Sequence, residues 1–176
     1  MSDVVVGVDD AAGPGPFTGL HNFRDLGGVV AADGRTVARG KVFRSDALHR
    51  MTPDDAALLD DFGVATVIDL RAPDEVAHVG VGPVATLGAD YHNLPVRPAV
   101  LTAPDAPAAP PATDGAEHYF RYLAEGPACF RGVVELLAEP AGVPAVFFCN
   151  AGKDRTGVVA AMVLSLLGAT DAEIAA

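Results

Sequence analysis

The feature that most constrains the fold is a short apolar run that leads through a glycine turn into an apolar helix. Residues 143–149 are almost continuously apolar, which is the pattern of a strand buried on both faces. Gly152 lies in the turn that follows, and residues 155–167 have the composition of a helix that Gly168 ends. A strand buried on both faces must be covered on both sides, so this segment predicts a sheet packed between layers of helices.

Other segments of the chain supply further strands and helices. Thr52 and Pro53 are a good N-cap and first residue for a helix that ends before Gly63. Further elements are predicted by apolar periodicity: strands at 37–44 and 64–70, and helices at 116–124 and 127–138. Because strands alternate with helices, we predict an α/β fold whose central, mostly parallel sheet is flanked by helices.

Three segments bear on the domain organisation. Residues 1–16 contain a Gly-Pro-Gly-Pro run and predict a flexible leader, whereas residues 98–111 contain five prolines and predict a loop or mobile lid. We expect residues 17–176 to form a single domain. Thr170 and Glu173 have the spacing of a capping box that opens a helix, so we expect further C-terminal helices to be missing.

The charge balance excludes some classes of partner. The chain has 12 Lys and Arg against 23 Asp and Glu, which gives a formal net charge of −11. Such a surface repels nucleic acid and anionic membranes, so an anionic substrate must be captured by a local positive pocket. No apolar run approaches the ~18 residues that span a bilayer, and we expect no stable membrane insertion.

Cysteine usage bears on the compartment. Two cysteines in a domain of this size do not form a disulfide-stapled scaffold, so we predict a reduced, cytoplasmic setting. Secretion by a non-classical route stays compatible with this composition. The five histidines have no metal-ligand spacing, and we expect neither a metal nor another cofactor.

The most informative chemistry lies in residues 149–157, Cys-Asn-Ala-Gly-Lys-Asp-Arg-Thr-Gly, which we call the 149–157 loop. In open α/β sheets ligands bind beyond the carboxyl ends of the strands, and Cys149 has that position. The backbone N–H groups of the turn at a helix N-terminus form a nest for a dianion, and their positive field favours a thiolate. Arg155 could then grip two phosphate oxygens while Cys149 attacks phosphorus. Asp154 follows Gly152-Lys153 where a Walker nucleotide loop has Ser or Thr, so ATP hydrolysis is a poor interpretation.

A family resemblance rests on this loop together with three other segments. In chain order these are Asn22-Phe23-Arg24-Asp25-Leu26-Gly27-Gly28, Phe43-Arg44-Ser45, Ile68-Asp69-Leu70-Arg71 and the 149–157 loop. The set resembles the bacterial tyrosine/serine protein phosphatases of the atypical dual-specificity, lipid-phosphatase-like type. The resemblance implies a cysteine-phosphatase-like fold and metal-free activity on phosphotyrosine, with phosphoserine, phosphothreonine and phosphoinositides as further substrates.

The resemblance also implies roles for individual residues. Cys149 would be the nucleophile, Arg155 the phosphate clamp and Asp154 the general acid, with Lys153 touching a phosphate and pairing with Asp69. Phosphate would lie against a set of loop residues: Asn150, Ala151, Gly152, Lys153, Arg155, Thr156 and Gly157. The supporting residues would be Asp69, Arg24, Arg44 and Arg71.

Several alternatives stay open at this point. Asp90, Asp105 and Asp114 flank or lie in the Pro-rich segment and are rival proton donors. The family usually has His where this chain has Phe148, so we expect Phe148→His to speed the reaction. A non-catalytic phosphate or phosphoinositide binding module is the second interpretation. A sulfur-transfer or arsenate-reducing enzyme is the third interpretation, because enzymes of those classes also use a thiolate loop that binds oxyanions.

Overall fold

The strands form one mostly parallel sheet. The structure is a computed structural model that describes residues 16–96 and 115–176. Within those residues the strands are β1 (Arg24–Asp25), β2 (Val42–Ser45), β3 (Thr66–Asp69), β4 (Asp90–Asn93) and β5 (Ala145–Phe148). They lie in the order β1–β2–β5–β3–β4, with β1 antiparallel to β2 and all other neighbours parallel. The prediction of an α/β fold with a mostly parallel sheet is therefore confirmed.

Helices pack around this sheet. The α-helices of the described residues are α1 (Pro53–Asp61), α2 (Pro73–Val79), α3 (Gly115–Glu125), α4 (Pro127–Ala138), α5 (Asp154–Leu166) and α6 (Asp171–Ala175). Thr52 caps α1 as predicted, since its hydroxyl accepts the N–H of Asp55 at 3.1 Å. Thr170 caps α6 in the same way through the N–H of Glu173. Helix α2 was not predicted, because seven residues are too few to show a clear helical period.

The two faces of the sheet are buried in separate hydrophobic clusters. Along β5, Val146 and Phe148 face one cluster and Phe147 faces the other, as alternation along a strand requires. The cluster on the Phe147 side contains residues of α3, α4 and α5, and Cys149 belongs to it. The cluster on the Phe148 side contains residues of α1 and of the segment before β1. The strand β5 is thus buried on both faces, as its apolar run predicted.

The sequence prediction for the strand at 37–44 needs correction. The strand β2 begins only at Val42, because Gly40 has φ +69°, a left-handed conformation that interrupts an extended chain. Val37 instead donates its N–H to the carbonyl of Val29 at 2.9 Å, within the loop before β2. Of the predicted strand, only residues 42–44 are therefore extended in the sheet.

Two predicted segments lie outside the described residues. They are the Pro-rich segment 98–111 and the leader 1–16, of which only Pro16 is described. Neither of the two described stretches contains a helix long and apolar enough to cross a bilayer.

Candidate active site

Cys149 lies where the central strand β5 ends. It follows Phe148, whose backbone pairs with Ser45 of β2 on one side and Asp69 of β3 on the other. Cys149 is 3% exposed and packs in the cluster on the Phe147 side of the sheet. Cys149 is therefore held at the carboxyl edge of the sheet, where ligands bind in α/β proteins.

The 149–157 loop turns sharply between β5 and α5. Gly152 has φ +65°, and a Cβ atom there would lie 2.6 Å from both the N of Asp46 and the O of Ser45. Only glycine fits such a close approach of two backbones. The carbonyl of Asn150 also accepts the N–H of Ala47 at 3.2 Å, so the loop packs against the residues that follow β2.

Side chains from the N-terminal part of the chain donate hydrogen bonds to two backbone carbonyls of the loop. Asn22 Nδ2 donates to the carbonyl of Ala151 at 3.1 Å and to that of Gly152 at 3.0 Å. Arg44 Nη2 donates to the carbonyl of Gly152 at 2.8 Å. Because the N–H and C=O of one peptide plane point in opposite directions, these contacts direct the N–H groups of the next residues away from Asn22. This is the arrangement that an anion-binding nest requires.

Two arginines lie together beside the loop. Arg24 and Arg44 are directly opposite in the β1–β2 pair, and Arg24 Nη1 donates to Oδ1 of Asn22. Burial, and then repulsion by Arg24, lower the pKa of Arg44 to about 10, whereas the charge of Cys149 opposes that shift. Arg44 Nε is buried without a hydrogen-bond partner among the described residues. Of the three predicted supporting arginines, Arg44 binds the loop directly and Arg24 contacts it through Asn22.

Arg155, the second residue of α5, is held by an acidic residue. Its Nη2 donates to Oε1 of Glu75 at 2.9 Å, and its Nη1 donates to Oε2 of the same carboxylate. Burial works against the charged guanidinium, but the hydrogen bonds and charge of Glu75 and the charge of Cys149 raise the pKa of Arg155. Cys149 thus influences the pKa of both Arg155 and Arg44.

The other predicted loop residues differ in exposure. Lys153 is exposed, whereas Thr156 is fully buried and its hydroxyl has no hydrogen-bond partner in the described part of the chain. Asp154 begins α5, and its Oδ1 accepts a hydrogen bond from the hydroxyl of Tyr119 at 2.9 Å. This hydrogen bond raises the pKa of Tyr119, so the phenol stays protonated and remains a donor.

Asp69 and Arg71 bind each other rather than the loop. Arg71 Nη2 donates to Oδ2 of Asp69 at 2.6 Å, and both side chains are essentially unexposed. The hydroxyl of Tyr91 donates to the same oxygen at 2.8 Å. The expected ion pair between Asp69 and Lys153 was therefore wrong, since the carboxylate is buried with other donors while Lys153 is exposed.

Arg71 consequently acts as a brace between segments near the site. Its Nη1 lies 3.0 Å from Nδ1 of His49, and its Nη2 donates to the carbonyl of Gly80 at 3.1 Å. Its guanidinium carbon also lies 5.2 Å from the centroid of the Phe148 ring. Burial, and then the positive charges of Arg71 and Arg50, lower the pKa of His49. Arg71 is thus a buried cation that binds Asp69, His49 and the carbonyl of Gly80.

Phe148→His is expected to raise the rate and to lower stability. An imidazole could give the 149–157 loop a hydrogen bond that Phe148 cannot, which would favour the thiolate of Cys149. The substitution should also lower the free energy of unfolding by about 1–2 kcal/mol, because the contact between Arg71 and the buried Phe148 ring is lost. Turnover, the pH profile of Cys149 alkylation and thermal melting measure these effects. Phe147→His, on the other face of β5, is the control and should destabilise without a faster reaction. An unchanged rate and alkylation profile in Phe148→His would contradict the prediction.

Asn22→Asp is expected to reduce kcat/KM about tenfold to a hundredfold. The change keeps the size of the side chain but replaces the donor to the Ala151 and Gly152 carbonyls with an acceptor, which costs about 1–3 kcal/mol. Asn93→Asp is a matched control, because Asn93 Nδ2 also donates to two carbonyls, those of Asp69 and Arg71. We expect both variants to lose melting temperature to a similar extent, but only Asn22→Asp to lose kcat/KM. Equal kinetic effects would show that Asn22 does not act on the loop.

Three residues of the site were missed by sequence reasoning. Asn22 opens the Asn-Phe-Arg-Asp-Leu-Gly-Gly segment, so that motif was a signal for it. Glu75 has the weaker signal of an acidic residue two positions after Pro73, in the first turn of a helix. Tyr119, which is 39% exposed and binds Asp154, had no local sequence signal because it reaches the site from α3.

Together these elements define an α/β protein in which a strand-end cysteine, a glycine turn, a helix N-terminus and an arginine share one loop. Comparison with known proteins agrees with this class. The model of the tyrosine phosphatase family matches residues 15–176, and the chain belongs to that family.

Curated relatives carry names of the same kind. The triple specificity protein phosphatase PtpB of Mycobacterium tuberculosis is 34% identical over 85% of this chain and 62% of its own length. A candidate tyrosine-protein phosphatase of Cupriavidus necator is 31% identical over 91% of this chain and 60% of its own length. A tyrosine-protein phosphatase of Nostoc commune is 29% identical over 74% of this chain and 45% of its own length. The chain thus spans about 60% of the length of the first two relatives.

Proposed function

We propose that this chain is a phosphomonoester hydrolase that acts on phosphotyrosine through a phosphocysteine intermediate. The observation that carries the proposal is the position of Cys149 at the carboxyl end of β5, in one loop with Arg155 and with a turn whose Gly152 carbonyl accepts hydrogen bonds from Asn22 and Arg44. Such a site binds a phosphate dianion and keeps a nucleophilic thiolate beside it.

The proposed reaction has two steps. In the first, the Cys149 thiolate forms a bond to phosphorus, the P–O bond to the alcohol or phenol breaks, and Asp154 gives its proton to the departing oxygen. In the second, Asp154 takes a proton from water, the water oxygen attacks phosphorus, and the S–P bond breaks to release phosphate and the thiolate. The buried hydroxyl of Thr156, which has no hydrogen-bond partner within residues 16–96 and 115–176, is available to donate a hydrogen bond to that leaving thiolate.

The substrate range is also a proposal. The name of the Mycobacterium tuberculosis relative, a triple specificity protein phosphatase, supports testing phosphoserine and phosphothreonine beside phosphotyrosine. The exposed Lys153, next to the loop turn, supports testing phosphoinositides, since its ammonium could contact a second phosphate. We further propose a cytoplasmic location, supported by two free cysteines.

The decisive experiment compares hydrolysis of a phosphotyrosine peptide, phosphoserine and phosphothreonine peptides, and a soluble phosphoinositide. Trapping of a radiolabelled phosphoryl adduct that maps to Cys149 and is missing in Cys149→Ser would establish the intermediate. Phosphate binding without hydrolysis of any substrate would instead support a non-catalytic binding module. Arsenate reduction or sulfur transfer without phosphatase activity would instead support the third interpretation, an arsenate-reducing or sulfur-transfer enzyme.

A further inference from the structure

We propose that Glu75 is a positioning residue that orients the Arg155 guanidinium for phosphate; the inference rests on the proposed function. The two side chains form a two-pronged ion pair, with each Nη of Arg155 donating to a different oxygen of Glu75. The residues are 80 positions apart, and the pair joins helix α2 to the first turn of helix α5. Arg155 is therefore fixed from outside its own loop.

The carboxylate of Glu75 is itself anchored. Its Oε2 also accepts the backbone N–H of Ala72 at 2.9 Å, at the start of α2. Ala72 directly follows Arg71, whose guanidinium is locked to Asp69, His49 and the carbonyl of Gly80. The braced segment after β3 thus presents Glu75 at a fixed position, and Glu75 transmits that position to Arg155.

The geometry leaves Arg155 able to bind a second anion. A guanidinium has five N–H groups, and the pair with Glu75 uses one from each Nη, so Nε–H and one N–H on each Nη remain. Two bonds from separate nitrogens fix the rotation of the guanidinium plane, which a single bond would not. A fixed plane spares the ordering of a long, flexible side chain when phosphate binds.

Glu75 stays ionised in this setting. Burial opposes the charge, but hydrogen bonds from Arg155 and from the Ala72 N–H, with the charges of Arg155 and Arg71, lower the pKa of Glu75. A negative charge beside a phosphate site would by itself weaken phosphate binding. If Glu75 orients Arg155, neutralising Glu75 should weaken phosphate binding. If Glu75 acts only through its charge, the same change should strengthen phosphate binding, so the two roles can be told apart.

The first test measures binding of inorganic phosphate by titration calorimetry in a Cys149→Ser background. Adding Glu75→Gln should weaken phosphate binding about tenfold, the size seen when an outer-shell partner that orients a metal ligand is removed. Glutamine retains an oxygen that can accept the Ala72 N–H, and thermal melting checks that the variant is folded. Unchanged or tighter phosphate binding by Glu75→Gln would overturn the proposal.

Two further variants separate orientation from charge and from general damage. Glu75→Asp keeps the charge but shortens the side chain, so it should also weaken phosphate binding. Glu135→Gln, the same chemical change at an exposed residue of α4, should leave the affinity unchanged. Full phosphate affinity in Glu75→Asp would contradict a role for Glu75 in orientation.

A double-mutant comparison tests whether Glu75 acts through Arg155. In an Arg155→Ala background, Glu75→Gln should cause no additional loss of phosphate affinity. An equal loss with and without Arg155 would overturn the proposal, since Glu75 would then act by another route. If the wild type failed to hydrolyse any phosphomonoester, the proposed function would fail, whereas this comparison of binding would still report on Glu75.

Discussion

Substitution of Cys149 by serine is expected to lower phosphotyrosine hydrolysis by a factor of about 10⁴ or more. A serine hydroxyl is a much weaker nucleophile than the thiolate that the proposed reaction requires, so it cannot replace Cys149 in the attack on phosphorus. The carbonyl contacts of the loop and the guanidinium of Arg155 do not involve the sulfur atom. Phosphate affinity, measured by calorimetry, should therefore be retained while turnover is lost.

Cys129 provides the matched control for that substitution. Its thiol is buried and donates to the carbonyl of Leu94 at 3.0 Å, and burial raises the pKa of Cys129 to about 12. It therefore remains a neutral thiol at pH 7, and Cys129→Ser should keep full activity if the protein stays folded. More than a trace of turnover in Cys149→Ser, or its complete loss in folded Cys129→Ser, would show that the chemistry lies elsewhere.

The sequence was informative about the fold where local rules and burial agree. The apolar run of β5 was recognisable because that strand is covered on both faces, and α1 was recognisable from Thr52 and Pro53. The strand β4 could not be predicted in this way, because Asp90–Asn93 is polar and lies at the edge of the sheet. Its place depends on pairing with β3, which is a long-range contact that the local sequence does not encode.

The same distinction holds for the candidate site. Cys149 and Arg155 were predictable because they share one loop, where spacing alone determines proximity. Glu75 and Tyr119 reach the loop from α2 and α3, so their roles depend on how these helices pack. The error over Asp69 has a similar cause. Its nearest cation in the folded chain is Arg71, two residues away, and the resemblance directed attention to the more distant Lys153.

The structure narrows the choice of general acid. Asp90 pairs with Thr66 in the parallel ladder at the start of β3, whereas Cys149 follows the last residue of β5. Asp90 therefore lies at the amino edge of the sheet, opposite the site. Asp105 and Asp114 lie outside the described residues. Asp154 is adjacent to Arg155, and the Tyr119 hydroxyl binds its Oδ1, whereas its Oδ2 has no hydrogen-bond partner in the part of the chain that the structure describes.

Asp154→Asn is accordingly expected to slow alkyl phosphates about 10²- to 10³-fold while slowing aryl phosphates much less. A phenoxide leaves readily without a proton, whereas an alkoxide does not, so the ratio of the two rates reports on the acid. Steady-state kinetics with phosphoserine and an activated aryl phosphate measure it. Tyr119→Phe, which removes the hydrogen bond but keeps the carboxyl group, should change that ratio only slightly. If Asp154→Asn slows both substrates equally, Asp154 only shapes the loop, and Asp105 and Asp114 become the residues to substitute next.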